Sequence, residues 1–451
     1  MLRILPHSEA GSAIARLSER LAIFERESSA RSAELTRKVF GEALAPSRVV
    51  DRIVDAVRRR GDDAVSEYTL KLDGAILTPD LFRVDPSVAL QAEKGADEGF
   101  LSAVRLAAEN VRAYQEAIRV EDPPPLEEGG RVLRRRYWPV RSAACYVPGG
   151  LAPYPSTVIM SVVPAQVAGV SRVAVISPPR HGKEIDRRVL ATCSVLGVQE
   201  IYRIGGVQAV AAMAVGTETI EAVDKVVGPG NLFVMLAKKA VYGHVDIDMF
   251  AGPSEILVIA DASANPAWVA ADLLSQAEHD EMASSVLVTD SREMAERVDQ
   301  ALEKQLSELS RAETARASIQ RFGLAIIVAD MDAAIELTNE VAPEHVEVQT
   351  ANADEVAAGI RSAGAVFIGP WTPEPVGDYV AGSSHILPTG GTARFFSGLS
   401  VNTFLRATAY VKYDRKELKL AQQAIQALAR AEGYDAHGRS ASIREEEWDR
   451  T

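Results

Sequence analysis

Cysteine is scarce in this chain, and long apolar runs are absent. Only two of the 451 residues are cysteines, Cys145 and Cys193, and they stand far apart. This count excludes a disulfide framework and a thiolate-ligated zinc site, and it fits a reducing, cytoplasmic compartment. No apolar run reaches the roughly 18 residues of a membrane span. The most apolar region, 157–176, is interrupted by Pro164 and Arg172, so we expect no membrane partner.

Positive charge is also in deficit, because the formal net charge is −13 at pH 7. A nucleic-acid-binding protein usually presents a basic face, so no nucleic-acid partner is expected. The two arginine runs, 58–60 and 134–136, are short, and we interpret them as solvated surface. The N-terminus lacks the continuous apolar segment of a signal peptide, and none is expected.

The composition is that of a globular protein, with 47% hydrophobic and 25% charged residues. A chain of this length predicts roughly two to four domains. The N-terminal part is mainly helical by pattern: residues 9–25 are amphipathic, and apolar residues between 49 and 57 recur at helical spacing. Pro123–Pro125 and the following Gly129-Gly130 predict a linker or an exposed hairpin.

From Arg141 onward, short β-rich runs alternate with helical ones, which predicts parallel sheets covered by helices. The predicted strands of the first stretch are 172–177, 200–204 and 225–227; those of the second are 255–259, 285–288, 324–328, 346–349 and 365–368. We therefore predict an α/β fold with two incomplete Rossmann-like parallel-sheet domains. The predicted boundaries are a helical arm at 1–25, a first domain at 26–140 plus 251–390, a second at 141–250 and a C-terminal tail domain at 391–451.

Polar residues that suit a zinc site occur in four segments. Gln276 and His279 are three residues apart in an apolar, helix-like run, so they share a face. Further oxygen and nitrogen donors come from Asp378, Glu432 and His437. Catalytic zinc sites use such donors as ligands. Spacing alone is a weak signal, since polar pairs at this spacing are common on helices and Asp378 also suits a turn. His385 follows a turn, and we interpret it as a cap.

A carboxylate and an imidazole stand side by side in Glu344-His345, just after a predicted helix ends at a proline. Histidine titrates near neutral pH and suits proton abstraction, and a neighbouring glutamate can activate water. The alternative interpretation of this segment is an ordinary polar loop.

Glycine-rich turns follow the strands of the 141–250 region, although the G-x-G-x-x-G fingerprint is absent. Glycines allow a phosphate to approach the backbone closely. Tyr146, Gln208 and Asn231 lie in or beside these turns and could stack on or hydrogen-bond a nucleotide. Simple turns are the alternative.

Several long blocks of the chain resemble the histidinol dehydrogenase family. They include CYVPGG, IYRIGGVQAVAAMAVGTETI, VDKVVGPGN, IDMFAGPSEILVIAD, LLSQAEHD, VAPEHVEV, TPEPVGDYVAGSSHILPTGGTARFFSGLSV and EGYDAH. The match is collinear and runs from about Val49 to His437. The resemblance implies an NAD-dependent alcohol and aldehyde dehydrogenase of histidine biosynthesis. Such an enzyme oxidises L-histidinol through L-histidinal to L-histidine with two NAD and one zinc ion per subunit.

The resemblance also implies roles for particular residues. The zinc ligands would be Gln276, His279, Asp378 and His437. Glu344 and His345 would be the acid/base pair, and Tyr146, Gln208 and Asn231 would contact NAD. The substrate would contact Ser254, His345, Glu432 and the zinc ligands.

Family members form intertwined homodimers with a swapped tail, so the resemblance places Glu432 and His437 in the partner subunit's site. Ser383-Ser384 departs from the common family pattern. This departure keeps open a related zinc- and NAD-dependent dehydrogenase of another small polar alcohol. A zinc hydrolase or a non-catalytic scaffold is a third hypothesis, because zinc, glutamate and histidine also suit hydrolysis.

Overall fold

The computed structural model describes residues 1–18, 30–149, 153–180, 184–250 and 252–444. The chain divides into two compact units. The main unit holds Met1–Ile118 and Val140–Phe404, and the tail unit holds Arg119–Pro139 and the chain from Leu405 onward. The domain boundaries predicted from the sequence remain predictions, but the tail unit also takes in the segment that was expected to be a linker or hairpin.

The strands of the main unit form two parallel sheets. Numbered along the chain, all strands are β1 Arg3–Pro6, β2 Leu126–Glu128, β3 Arg131–Pro139, β4 Ser142–Tyr146, β5 Arg172–Ile176, β6 Glu200–Tyr202, β7 Lys225–Val227, β8 Asp246–Ile247, β9 Glu255–Ala260, β10 Ser284–Thr289, β11 Gly323–Ile327, β12 His345–Gln349, β13 Ala365–Ile368 and β14 Leu405–Tyr413. The larger sheet has the order β1-β11-β10-β9-β12-β13 and the smaller one β6-β5-β4-β7-β8. Every pairing in both is parallel.

Helices connect and cover these strands, as parallel pairing requires. In the main unit they are α1 Gly11–Ser18, α2 Ala30–Phe40, α3 Pro46–Arg60, α4 Asp62–Tyr68, α5 Pro86–Lys94, α6 Glu98–Ala117, α7 Pro155–Ala168, α8 Arg187–Val195, α9 Gly206–Val215, α10 Leu232–Val241, α11 Pro266–Ala277, α12 Arg292–Leu306, α13 Ala312–Phe322, α14 Met331–Val341, α15 Ala353–Ala358 and α16 Glu374–Tyr379. Among the described helices, none is long and apolar enough to cross a membrane.

The helix α3 illustrates how local sequence sets these elements. Pro46 stands at its first turn, where a missing N–H costs nothing, and its buried residues repeat at helical spacing. Gly61 ends it with a φ of 52°, a conformation that glycine adopts without a steric penalty. Val49, Ile53 and Val57 thereby reach the core beside the smaller sheet.

The tail unit has its own antiparallel sheet, in the order β14-β3-β2. Two helices follow, α17 Arg415–Glu432 and α18 Asp435–Ser442. Asp414 caps the first of them by accepting a hydrogen bond from the backbone N–H of Glu417 at 2.8 Å.

The fold class predicted from the sequence is confirmed: the main unit is an α/β structure built on two parallel sheets. The swapped position of the tail remains a prediction. The N-terminal arm is not wholly helical, because Arg3–Pro6 is a strand that pairs with β11. Of the helix predicted at 9–25, residues 11–18 are helical and 19–25 lie outside the described residues.

Candidate active site

Glu344 and His345 lie where β12 begins, in the interior of the larger sheet between β9 and β13. Helix α14 ends at Val341, and the next residue, Ala342, has a φ of 50°, a conformation that non-glycine residues rarely adopt. The backbone N–H of Glu255 donates to the Glu344 carboxylate at 2.9 Å. Burial raises the pKa of Glu344 well above its usual range, because removal from water disfavours the charged carboxylate.

The imidazole of His345 is held in one tautomer. Its Nδ1 lies 3.0 Å from the backbone carbonyl oxygen of Glu255; because a carbonyl only accepts, Nδ1 carries the proton and donates. Nε2 therefore bears a lone pair, and it is buried without a hydrogen-bond partner. Burial lowers the pKa of His345, which keeps the ring neutral. A neutral imidazole with an unused lone pair is the form a general base requires.

Gln276 and His279 come together at the end of α11. The helix stops at Ala277, so His279 lies in the following turn. The backbone N–H of His279 donates to the Gln276 carbonyl at 3.2 Å. Gln276 is only 1% exposed, and its side-chain Oε1 has no hydrogen-bond partner. Burial lowers the pKa of His279, against the opposing charge of nearby Asp378. The predicted pair thus adjoins the third predicted ligand.

Asp378 lies on the short helix α16, one turn after Glu374. The two carboxyls are hydrogen-bonded to each other, and burial raises the pKa of Glu374 to about 9. Glu374 Oε1 lies 3.8 Å from His345 Nε2 and is itself unpartnered and buried. Ligand atoms of His345, Glu374 and Asp378 lie within 4.8 Å of one another, close enough to hold one metal ion.

The donor set around this point fits a divalent metal. Two buried polar atoms without hydrogen-bond partners lie 3.8 Å apart here, His345 Nε2 and Glu374 Oε1, and the buried amide oxygen of Gln276 on α11 also lacks a partner. Buried polar groups are normally hydrogen-bonded, so such a cluster indicates a missing ligand. Oxygen and imidazole donors together suit zinc and similar ions.

Sequence reasoning gave no role to two residues that the structure brings to this site. Glu374 appears in the TPEPVGDY block four residues before Asp378, which is the one signal that could have found it. His385 was interpreted as a turn cap; its Nδ1 donates to the Asp378 carbonyl at 3.1 Å, and its Nε2 lies 3.1 Å from Thr157 Oγ1. A charge on His385 would lower the pKa of both His279 and His345.

The remaining predicted substrate residues are divided between the units. Ser254 directly precedes β9, next to the Glu255 that contacts both Glu344 and His345. Glu432 ends α17 and His437 lies in α18, so both belong to the tail unit, where they are exposed. The aromatic ring of Tyr434 lies 5.0 Å from the His437 ring. The proposed contribution of these two residues to the site stays a prediction.

The residues predicted to contact NAD lie at the smaller sheet. Tyr146 ends β4, and its hydroxyl accepts the Gly206 N–H at 3.1 Å. Gln208 Nε2 donates to Asp73 at 3.0 Å, and Asn231 caps α10 by accepting from two backbone N–H groups. Tyr146 is the last residue of β4 and Asn231 follows the neighbouring parallel strand β7, and ligands of open α/β sheets bind at such carboxyl ends.

One glycine explains the tight geometry there. Gly228 follows β7 with a φ of 111°, and a Cβ on it would collide with the carbonyl oxygen of Tyr146.

Known proteins match the chain along its whole length. The family model for histidinol dehydrogenase matches residues 40–445. Histidinol dehydrogenase of Rhodopirellula baltica is 46% identical over 439 residues, which is 97% of this chain and 95% of that protein. The one from a Synechococcus species is 43% identical over 454 residues, covering 100% of both. The crystal structure of histidinol dehydrogenase from Elizabethkingia anophelis has a TM-score of 0.87 and 33% identity, covering 100% of this chain and 98% of that one.

Fold, site and relatives together define an enzyme of the oxidoreductase class, a dehydrogenase. The expectation that the chain is such an enzyme is confirmed. The chain belongs to the histidinol dehydrogenase family, as its sequence motifs indicated.

Proposed function

We propose that this protein oxidises L-histidinol through L-histidinal to L-histidine, using zinc and two NAD, as the last step of histidine biosynthesis. The observation that carries the proposal is the neutral, buried imidazole of His345, whose Nε2 lone pair is unpartnered beside the buried carboxyl of Glu344. Membership of the family supports the choice of substrate. The two buried free cysteines agree with a cytoplasmic location.

Zinc would be held by Gln276, His279, Asp378 and His437, one ion per subunit. When bound, it supplies a Lewis acid that orients the amine and imidazole nitrogens of the substrate without changing oxidation state. Glu374 lies close enough to Asp378 and His345 to bind this ion or to accept a hydrogen bond from the substrate's amine. Ser254 and Glu432 would complete the contacts to the substrate.

His345 would begin each turnover by accepting the hydroxyl proton of the alcohol at Nε2. Its Nδ1–H remains donated to the Glu255 carbonyl, which fixes the ring and stabilises the imidazolium that forms. Tyr146, Gln208 and Asn231 would hold NAD, which would supply the acceptor for the hydride that leaves the same carbon.

Glu344 would act in the second half of the reaction by taking a proton from the water that adds to the aldehyde. Its raised pKa makes it a stronger base than an exposed carboxylate. His345 must lose its first proton before it can take another from the hydrate. Burial of both groups limits solvent access to them, which would help to protect the aldehyde between the two oxidations.

The complete site would form in an intertwined homodimer whose tail reaches the partner subunit. The exposure of Glu432 and His437 in the tail unit supports this proposal. Mixed dimers of a His345→Ala subunit and a His437→Ala subunit provide a test. If the site is shared in trans, one of the two sites regains both histidines and activity returns; if it forms within one chain, the mixture stays inactive.

The proposed reaction is tested with zinc-loaded protein, limiting L-histidinol and excess NAD. We expect two NADH per L-histidinol consumed, and background NADH formation would overturn the proposal. A panel of small polar alcohols, ranked by kcat/KM, tests the alternative motivated by Ser383-Ser384; a better alcohol than L-histidinol would favour it. Saturable NAD binding lost in Asn231→Ala would argue against a hydrolase or a scaffold.

A further inference from the structure

One face of β12 is polar where a buried parallel strand is usually apolar on both faces. His345, Glu347 and Gln349 alternate along the strand and therefore point to the same side. All three are buried, whereas Val346 and Val348 on the opposite face pack in an apolar cluster. Burying polar groups is unfavourable unless they are hydrogen-bonded. The hydrogen bonds of Glu347 and Gln349 therefore identify the elements that this face of the strand contacts.

Glu347 reaches the helix that carries two site residues. One of its carboxyl oxygens accepts the backbone N–H of Glu374, the first residue of α16, at 2.7 Å. The residue before the helix is Pro373, and no side chain of its own caps the helix. Glu347 therefore supplies that cap from β12 and fixes the start of the helix on which Glu374 and Asp378 lie.

The other carboxyl oxygen of Glu347 is tied to a second helix. Gln349 Nε2 donates to it at 3.1 Å and to Asp272 Oδ2 at 2.6 Å. Asp272 and Glu347 are also hydrogen-bonded directly to each other. Asp272 is in α11, one turn before Gln276. No lysine or arginine pairs with either acid among the described residues, so hydrogen bonds alone satisfy them.

We propose that Glu347, bonded to Asp272 and Gln349, is a positioning residue that locks α11, β12 and α16 together and so sets the geometry of the metal and substrate site. The inference rests on the proposed function, since it concerns the same zinc site. Each of the three elements carries residues of that site: Gln276 on the first, His345 on the second and Asp378 on the third.

The hydrogen bond between the two acids supports this role, because one of two carboxyl groups in such a bond must carry the proton. A protonated Glu347 can donate to Asp272 with one oxygen while the other accepts from the Glu374 backbone. Glutamine in its place would keep one donor and one acceptor, whereas leucine would keep the bulk and lose both.

The test compares Glu347→Leu with Glu347→Gln in the full-length protein. Zn²⁺ affinity is measured by competition with a chromophoric chelator, and kcat and KM are measured with L-histidinol and NAD. We expect Glu347→Leu to weaken Zn²⁺ binding by roughly 10–100-fold, the usual effect of losing a residue that orients metal ligands. Glu347→Gln should restore most of the affinity, and KM for NAD should not change in either variant.

A helix cap elsewhere in the main unit provides the matched control. Ser291 caps α12 by accepting the Met294 N–H at 3.2 Å, and that helix carries no site residue. Ser291→Ala should lower the thermal midpoint without changing Zn²⁺ affinity. If Glu347→Leu loses no more affinity than Ser291→Ala, the inference is wrong.

A second variant tests the positioning role if Glu347→Leu does not fold, and the wild-type protein tests the proposed function separately. If Glu347→Leu does not fold, Gln349→Leu, which removes the donor joining the two acids, should weaken Zn²⁺ binding in the same direction; unchanged affinity would overturn the inference. Failure of the proposed function appears earlier, in wild-type protein that neither binds Zn²⁺ nor forms NADH from L-histidinol. Failure of the positioning role appears only as equal affinities of variant and wild type.

Discussion

The two parallel sheets bury ionisable groups in opposite ways. Beside the smaller sheet, buried Lys238 pairs with Asp248, and Arg172 bonds Glu200 at 2.7 Å. At the larger sheet, Glu344, Glu347 and Glu374 are buried, yet none forms an ion pair with a lysine or arginine in the described part of the chain. Burial raises the pKa of each of these three acids.

The difference distinguishes buried charges that stabilise the fold from buried acids that are available to bind a ligand. A paired buried charge is satisfied within the fold, and Asp248 further accepts the Gly228 N–H at 2.7 Å. A cluster of unpaired acids with unpartnered atoms is unfavourable on its own and becomes favourable when a cation binds. We therefore expect perturbations of the unpaired acids at the larger sheet to change metal binding and rate, and perturbations of the paired charges beside the smaller sheet to change stability.

The largest effect should follow the loss of zinc. His279→Ala removes a proposed ligand, so zinc content and NADH formation should fall together toward background. Exposed His244 offers a control, and His244→Ala should keep both. Full zinc content in His279→Ala, measured by metal analysis after gel filtration, would remove His279 from the ligand set.

His345→Ala should lower kcat by about 10²–10⁴-fold, the usual contribution of general acid–base catalysis, while zinc content stays unchanged. The physical reason is the loss of the unpartnered Nε2. Steady-state kinetics at saturating NAD and L-histidinol measure this effect. Wild-type turnover in this variant would refute the assigned role.

Lys238→Met should lower stability and leave the metal site unchanged. It leaves Asp248 buried without its cation, which should lower the free energy of unfolding by about 3–5 kcal/mol. Denaturant unfolding measures the loss, with Lys239→Met, at the exposed neighbour on the same helix, as control. Zinc affinity should not change. A loss of zinc in Lys238→Met would show that the ion pair beside the smaller sheet also affects the metal site.

The smallest effect concerns the pH dependence of stability in zinc-free protein. The pKa of Glu347 rises from 4.5 to about 9 on folding, so the folded state holds its proton over that interval. Its contribution is fully present below the unfolded value and is lost as pH rises toward the folded one, by at most about 1.4 kcal/mol per pH unit. Glu347→Gln should flatten this slope in unfolding curves measured between those pH values, and an unchanged slope would contradict the shift.

The local sequence alone was enough to predict the strands and helices that have a strong hydrophobic pattern. The apolar, β-branched run Arg172–Ile176 and the helix Met331–Val341 form where periodicity indicated them. Strand β4 was not predicted, because SAACY contains small residues with low strand preference. The strand at Arg3–Pro6 depends on its partner at Leu324–Ile327, and short-range patterns do not contain such a pairing.

The candidate site was predictable in parts. Gln276 with His279, and Glu344 with His345, have a local signal, but Asp378 looked like a turn residue until the family motifs grouped it with them. Glu374 received no role, since its importance depends on a 3.8 Å approach to His345 that no spacing along the chain reveals. The unpartnered atoms likewise exist only once burial is known.

The central claim is that the unpartnered buried atoms of Gln276, His345 and Glu374, with His279 and Asp378 beside them, mark the metal and substrate site. Its most direct test is a crystal structure of the zinc-loaded protein, with anomalous scattering recorded at the zinc edge. We predict one zinc peak per chain, bonded to Gln276, His279 and Asp378, with His437 as a further ligand. A zinc peak elsewhere, with His279 and Asp378 left unligated, would contradict the account.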